Sequence, residues 1–206
     1  MSLRFGDQNI GEFYHVFNRG NNKRPTFLDR EDIDFFFKHM NMLNSTLPIA
    51  YVRSNYGCDF SSKKLVEIYA YAILENHFHM ILKQLKPDGI SRYMHKLGTA
   101  YTKYFNQKYR TTGALFQGKY KYVFIKENKL LEKICYVNAN HKIHGATAPL
   151  LDVSGDLAIK ENIRIFCIQE GLELFDSITH YRKMRDAVVK SICKSRRENS
   201  IDEREL

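Results

Sequence analysis

The amino-acid sequence predicts an α+β sandwich in which helices pack on a mostly antiparallel sheet. Three observations lead to this prediction. Apolar and polar residues alternate in several short segments, as they do in half-buried strands. In other segments apolar residues recur every three or four positions, as in amphipathic helices. The segments follow the order β-α-β-β-β-α-β-α, which favours one sheet covered by helices.

The first half of the chain predicts four strands and one helix. They comprise a strand over 12–20, a helix over 29–45 and strands over 49–56, 65–74 and 77–85. Asp29 is the expected N-cap of the helix, because its side chain can accept a hydrogen bond from the first turn. The last two strands are joined at Glu75 and Asn76, which predicts a tight hairpin.

The second half predicts a fifth strand and further helices. They comprise a helix over 91–109, a strand over 119–126 and a helix over 127–145. Beyond Pro149 the pattern allows one or two more helices, and the charge-dense tail should fray at its end. The sequence therefore predicts a folded domain over 1–148 and a helical C-terminal extension over 149–206.

Composition limits the class of protein. With 206 residues and 44% hydrophobic residues, the chain is long enough for one sizeable core. The net charge of +9 favours a nucleic-acid partner. No apolar run approaches the roughly 18 residues of a membrane span, so we expect a cytoplasmic protein without a membrane partner. Four scattered cysteines are expected to be reduced and without a role: Cys58, Cys135, Cys167 and Cys193.

Two histidines stand in the strand predicted over 77–85. Because alternate residues of a strand share a face, His77 and His79 lie side by side, while Phe78, Met80 and Leu82 face the core. Two imidazoles on one face can bind a single divalent ion. The alternative is a pair of half-buried histidines that only form hydrogen bonds with their neighbours, and the strand pattern alone leaves both open.

The helix predicted over 127–145 carries a tyrosine with a polar residue one turn later. Asn140 follows Tyr136 by four positions, so the phenol and the amide project together, with Lys129 and Lys133 beside them. Such a phenol is suited to attack a phosphate that a metal holds. Tyr136 falls opposite the apolar side of the helix, so the alternative is a solvated polar face with an incidental tyrosine.

Four blocks together resemble a known family. "YHVFNRGNNKRPTF", "AYAILENHFHMIL", "YTKYFNQKYRTTGALFQGKYKYVFI" and "YVNANHKIHG" resemble, in order and spacing, the single-tyrosine transposases of the HUH endonuclease superfamily, which carry an IS200-like transposase domain. Within that superfamily they resemble the REP-associated tyrosine transposases. The similarity covers about residues 12–145. Two features depart from the family pattern: His141 stands where relatives often have proline, and the segment that follows has no tryptophan.

The resemblance implies a fold, a site and a reaction. It implies a ferredoxin-like sandwich, for which we count a five-stranded, mostly antiparallel sheet. It implies a divalent metal, Mg²⁺ or Mn²⁺, on His77, His79 and Asn140, and a nucleophilic Tyr136. The expected reaction is endonuclease cleavage of single-stranded or hairpin DNA through a covalent 5′-phosphotyrosine, followed by strand transfer.

Basic residues interleaved with aromatic residues are the candidate DNA contacts, because cations meet phosphates and rings stack on bases. They are Arg19, Lys23, Arg24, Arg92, Lys103, Lys119, Lys121, Lys129 and Lys133. Part of the aromatic stripe has helical spacing and is expected in the core: Met94, Leu97, Tyr101 and Tyr104. A solvated turn is an equal alternative for the loop over 18–24.

Two other functions stay open. One is a zinc phosphodiesterase that uses water, with His141 or His144 completing the histidine pair. The other is a nucleic-acid-binding relative without catalysis. Whether the protein acts as a monomer or a homodimer is also left open by the sequence.

Overall fold

The computed structural model describes residues 8–55, 61–139, 153–154 and 173–202. Five antiparallel strands form one sheet in the order β4-β1-β3-β2-β5. The strands are β1 (Phe13–Arg19), β2 (Val66–Leu74), β3 (His77–Gln84), β4 (Lys121–Ile125) and the two-residue β5 (Val153–Ser154). The helices are α1 (Arg30–Met42), α2 (Ile49–Ser54), α3 (Gly89–Tyr109), α4 (Leu130–Asn138) and α5 (Ile178–Asp202).

The first four strands with α1 and α3 follow the order β-α-β-β-α-β, with β1 and β3 in the middle of the sheet. This is the ferredoxin-like arrangement, so the predicted fold class is confirmed. The predicted number of five strands is correct, but the fifth strand is not the predicted one. It is β5, which lies beyond residue 148.

The prediction of a strand over 49–56 is wrong, because Ile49–Ser54 forms the short helix α2. Ile49 and Val52 are three residues apart, so a single helical turn directs both toward the core, where Val52 is buried and Ile49 packs at its edge. Pro48 precedes the helix with φ −59°, a value that suits a helix start. A run this short fits either period, and packing decides between them.

Side chains alternate between the two faces of the sheet. Toward α1 and α3 lie large apolar groups of the central strands, which form the main core: Tyr14, Val16, Phe78, Met80 and Leu82. We call this side the α1/α3 face. The opposite side carries His15, His77 and His79, and we call it the histidine face. A bulge between Ile68 and Ala70 shifts the register of β2 and places the small Ala72 opposite His79.

The α1/α3 face contains a polar cluster that fixes the start of α1. Asp29 and Asp32 form a capping box, in which each side chain accepts from the backbone N–H of the other. The Asp32 carboxylate is fully buried and accepts from Lys108 Nζ at 3.0 Å and from the hydroxyls of Tyr104 at 3.2 Å and Tyr109 at 2.8 Å. This cluster ties α1 to the end of α3.

On the other side of the sheet, α4 packs against β2, β3 and α5. Its buried residues share a second core cluster with Phe175 and with Tyr181 of α5: they are Leu130, Ile134, Cys135 and Val137. Met184 and Val188 continue the contacting stripe of α5 at helical spacing. The helix that carries Tyr136 is therefore held between the sheet and the C-terminal segment.

Several predictions concern the ends of the chain. α5 continues through the charge-dense tail as far as Asp202, and residues 203–206 lie outside the described residues. The domain boundary at 148 and the predicted helix end at Gly145 also lie outside them. Of the cysteines, Cys135 and Cys193 are not joined in a disulfide, and Cys58 and Cys167 fall in undescribed segments. No helix within the described ranges is long and apolar enough to cross a membrane.

Candidate active site on the histidine face

Antiparallel pairing of β1 with β3 brings three histidines together. Phe17 pairs with His79 and Arg19 with His77, so the odd-numbered residues of β1 lie on the same face as the two histidines of β3. The ring centroids of His77 and His79 are 5.0 Å apart, and His15 and His79 are also separated by 5.0 Å. The predicted placement of His77 and His79 on one face is confirmed.

The His77 ring is held by the turn between β2 and β3. Its Nδ1 lies 2.6 Å from Asn76 Oδ1, and Asn76 Nδ2 donates to the backbone oxygen of Lys23 at 3.0 Å. A backbone carbonyl only accepts, so it fixes the orientation of the Asn76 amide. His77 must then donate through Nδ1–H, and Nε2 is the nitrogen through which it would bind a metal.

The His79 ring is held in the same way by His15. His15 Nε2 lies 2.9 Å from His79 Nδ1, in a hydrogen bond between two half-buried rings. Burial, aided by the positive charge of Lys133, lowers the pKa of His15 to about 4, so this ring is neutral at pH 7. For His79 to bind a metal through Nε2, it must donate through Nδ1–H, and the neutral His15 ring can accept that hydrogen bond through Nε2. Both rings of the pair are therefore oriented by a neighbour.

α4 places Tyr136 over these rings. The centroid of the Tyr136 ring lies 6.1 Å from that of His15 and 6.4 Å from that of His79, each in an edge-to-face arrangement. Lys133 Nζ lies 5.5 Å from the centre of the Tyr136 ring. The site thus combines a phenol, a lysine and an oriented pair of imidazoles.

The position of Tyr136 differs from the sequence prediction in one respect. Tyr136 was predicted on the side of its helix away from the core, but it is half-buried and directed at the sheet. Because α5 packs against α4 as well as the sheet does, residues on more than one side of α4 are in contact with the rest of the protein.

The predicted DNA contacts surround this site unevenly. Arg19 and Lys121 are exposed and pair with His77 and Phe17 respectively across the sheet. Lys129 is bound to Glu132 at 3.0 Å. Arg24 donates from Nη2 to the backbone oxygen of Ala114 at 3.0 Å, so it links two loops.

The other predicted contacts lie farther from the histidines. Lys23 is exposed in the loop after β1, and Arg92 is exposed on α3. Lys103 and Lys119 border a cleft on the α1/α3 face. Of the four predicted core positions, Met94, Leu97 and Tyr101 are buried, as expected from their helical spacing, whereas Tyr104 is only half-buried.

Part of the predicted site lies outside the described residues. Asn140, the expected third ligand, falls there, as do His141 and His144 of the alternative zinc site. Within the part of the chain that the structure describes, no group of three His, Cys, Asp or Glu side chains is arranged to hold a metal ion. Two imidazoles with an amide oxygen therefore stay the predicted ligand set.

Sequence reasoning missed two residues of this site. His15 holds His79, and Asn76 holds His77. From the sequence, Asn76 is indicated only as a residue of the hairpin turn. His15 stands between Tyr14 and Val16 and therefore lies on the opposite face from these two core residues, but only the register between β1 and β3 shows which ring it meets.

Comparison with known proteins shows what this part of the chain is similar to. Residues 49–140 match the model of the family described as "Transposase IS200 like". One similar solved structure is described as "Structure of the REP associates tyrosine transposase bound to a REP hairpin"; it is 16% identical, with a TM-score of 0.48, over 70% of this chain and 75% of that chain. No curated protein matches the chain. The family match contains His77, His79, Tyr136 and Asn140, so residues 49–140 are similar to IS200-like transposase domains.

Proposed function

We propose that this protein is a transposase that cleaves and rejoins single-stranded or hairpin DNA, with Tyr136 as the nucleophile and a divalent ion as cofactor. The observation that carries the proposal is the position of Tyr136, whose ring meets His15 and His79 on the face that also carries His77. A nucleophile and candidate metal ligands from two different elements thus converge on one surface.

The reaction replaces one phosphate ester by another. The phenolic oxygen of Tyr136 attacks the phosphorus, its bond to the 5′ phosphate forms, and the bond to the 3′ oxygen of the preceding nucleotide breaks. The proton lost by the phenol is balanced by the proton gained by the departing 3′-hydroxyl. Because one ester bond replaces another, a second 3′-hydroxyl can reverse the step without ATP.

The surroundings of Tyr136 support this role. A phenol has an ordinary pKa of about 10, so it needs stabilisation of its developing negative charge at neutral pH. Lys133 lies at the phenol ring and supplies a positive charge there. The two imidazoles limit the approach of bulk water from the sheet side, because Tyr136 is only partly exposed.

The donor set fits a divalent ion. His77 and His79 would hold it through Nε2, and Asn140 would complete the set from the helix that carries Tyr136. Nitrogen and oxygen ligands of this kind suit Mn²⁺ or Mg²⁺. When bound, such an ion withdraws charge from the scissile phosphate. Asn76 and His15 act before that, because they hold the two rings in the orientation that binding requires.

Formation of a covalent adduct tests the proposal. Purified protein is incubated with Mn²⁺ and a labelled oligonucleotide that carries a hairpin with single-stranded flanks taken from the DNA beside the coding region. We expect an adduct that survives denaturing electrophoresis, and we expect Tyr136→Phe to abolish it, because the variant lacks only the attacking oxygen. Tyr122→Phe is the matched control, since Tyr122 lies on β4 and packs on Tyr14 at the α1/α3 face.

Two outcomes would contradict the proposal. Cleavage without an adduct in Tyr136→Phe would make water the nucleophile and favour the metal-dependent phosphodiesterase. An adduct that persists in Tyr136→Phe and disappears in Tyr122→Phe would show that Tyr122 is the nucleophile and that Tyr136 is not.

A further inference from the structure

A cleft with a volume of about 820 Å³ lies on the α1/α3 face, between α3 and the segment 114–120 that leads into β4. This volume is within the range of roughly 300–1,000 Å³ that is typical of ligand sites. The cleft is separate from the histidine face, because Phe78 lines it and points to the opposite side of β3 from His77 and His79.

The floor of the cleft is apolar and aromatic. Phe78 and Phe116 lie there in edge-to-face contact, with ring centroids 5.6 Å apart, beside Met94 and Leu97 of α3. The rim is polar and includes Lys103, Lys119, Asn18 and Thr102. Among the described residues, no carboxylate lines the cleft. Apolar side chains below and cations above are complementary to a base attached to a phosphate backbone.

The cleft adjoins the end of the sheet at which His77 lies. Asn18 lines the cleft, and the next residue, Arg19, is on the opposite face and pairs with His77. The segment that borders the cleft is bound to this strand end: Gln117 donates its backbone N–H to the Arg19 oxygen at 2.8 Å, and Asn18 Nδ2 donates to the Gly118 oxygen at 3.2 Å. A strand of DNA at His77 therefore passes close to the cleft if it turns around this end of the sheet.

Cations mark that path. Arg19 and Lys121 are exposed at this end of the sheet, and Lys119 and Lys103 border the cleft. Each lysine or arginine near a phosphate contributes to binding of any DNA sequence, whereas a pocket with an aromatic floor holds the bases themselves.

We propose that this cleft binds one or more unpaired bases of the DNA strand whose scissile phosphate lies at the histidine face. The inference rests on the proposed function, and it assigns the base-binding site of that reaction to the opposite face of the sheet. Stacking on the floor would hold the flanking strand and so set which phosphate reaches Tyr136.

Gly98 provides a way to block the cleft with little effect on the fold. It lines the cleft from α3, and a Cβ atom at this position would meet no other atom within 4 Å. Gly98→Trp places a large ring in the cleft, whereas the matched Gly98→Ala adds one methyl group and leaves the cleft open. Both replacements also remove a glycine from a helix interior, which favours the helix. Circular dichroism and thermal unfolding confirm that each variant is folded.

Binding is measured by fluorescence anisotropy in EDTA, with two labelled probes of equal length. One is a short oligothymidylate, and the other has the same sugar-phosphate backbone with abasic sites in place of the bases. We expect the unmodified protein and Gly98→Ala to bind the oligothymidylate about tenfold more tightly, which is the order of magnitude of one stacked base. Gly98→Trp should bind both probes with the affinity of the abasic one.

Equal affinity of the unmodified protein for the two probes would overturn the proposal, as would a preference for bases that survives in Gly98→Trp or is lost equally in Gly98→Ala. The assay contains neither metal nor cleavage. Failure of the tyrosine reaction would therefore appear as a missing adduct with this binding preference intact, and failure of the base site would appear as the reverse.

Discussion

The α1/α3 face and the histidine face each have tyrosine beside lysine, but the other groups around the phenols differ in charge. On the α1/α3 face, the phenols of Tyr104 and Tyr109 donate to the carboxylate of Asp32, and burial together with this carboxylate raises the pKa of Tyr109. On the histidine face, Tyr136 meets imidazoles and Lys133. A carboxylate disfavours a phenolate, whereas a lysine ammonium favours it.

A structural polar cluster and a candidate active site differ in where their polar groups find partners. On the α1/α3 face, Lys108 and the tyrosine hydroxyls meet the buried Asp32 carboxylate within the protein. On the histidine face, protein partners orient the rings through Nδ1 of each, and Tyr136 lies against the same face. The residue types alone do not reveal this difference, because both faces contain histidine, lysine and tyrosine.

The largest effect is expected when the histidine pair is removed. In the His77→Ala, His79→Ala double variant, binding of Mn²⁺ should be lost, because two of the three ligands are absent. Calorimetric titration should show about one site in the unmodified protein and none in the variant. His39→Ala is the control on the α1/α3 face, where His39 stacks on Phe35 and donates from Nδ1 to its backbone oxygen; it should lower stability and leave Mn²⁺ binding unchanged. Unchanged binding in the double variant would remove the metal from the proposal.

The next effect concerns the α1/α3 face. Lys108→Met removes the ammonium that pairs with Asp32, whose side chain is fully buried, and leaves that carboxylate with neutral donors only. We expect a loss of about 3 kcal/mol in the free energy of unfolding, the lower end for breaking a buried pair. Urea denaturation measures it, and Lys103→Met on the exposed side of the same helix should change stability by less than about 0.5 kcal/mol. Equal stability of the two variants would show that the cluster contributes nothing, and a loss of Mn²⁺ binding in Lys108→Met would show that the two faces are coupled.

A smaller effect tests His15 as a positioning residue. His15→Phe keeps a ring of similar size and removes the hydrogen bond to His79, so the affinity for Mn²⁺ should fall by about tenfold. His15→Gln keeps an oxygen that can accept from His79 Nδ1–H and should recover most of that affinity. Calorimetry measures binding, and thermal unfolding shows whether either variant changes stability. If Phe and Gln have the same effect, the hydrogen bond does not orient His79.

The parts of the fold and site that depend on local periodicity could be predicted from the sequence. Alternation in β3 placed His77 and His79 on one face, and helical spacing placed Met94, Leu97 and Tyr101 in the core. The parts that depend on contacts between distant segments could not. His15 and His79 are 64 positions apart, and no local pattern encodes the register that joins them.

The remaining errors have similar causes. Ile49–Ser54 is too short for its period to be decisive, so packing of Val52 selects a helix. The half-buried position of Tyr136 is not indicated by the pattern of α4 itself, because α4 packs against both the sheet and α5, a segment far along the chain.

The packing of α4 against α5 has a consequence for protein synthesis. α4 has nine residues, fewer than the roughly 12–15 that let an isolated helix persist in water, so its stability comes from its neighbours. One of those neighbours, Tyr181, is translated only after the rest of the site. A nascent chain therefore carries Tyr136 before α5 can hold the helix of Tyr136 in place, and the surface proposed to act on DNA is completed only when α5 has left the ribosome.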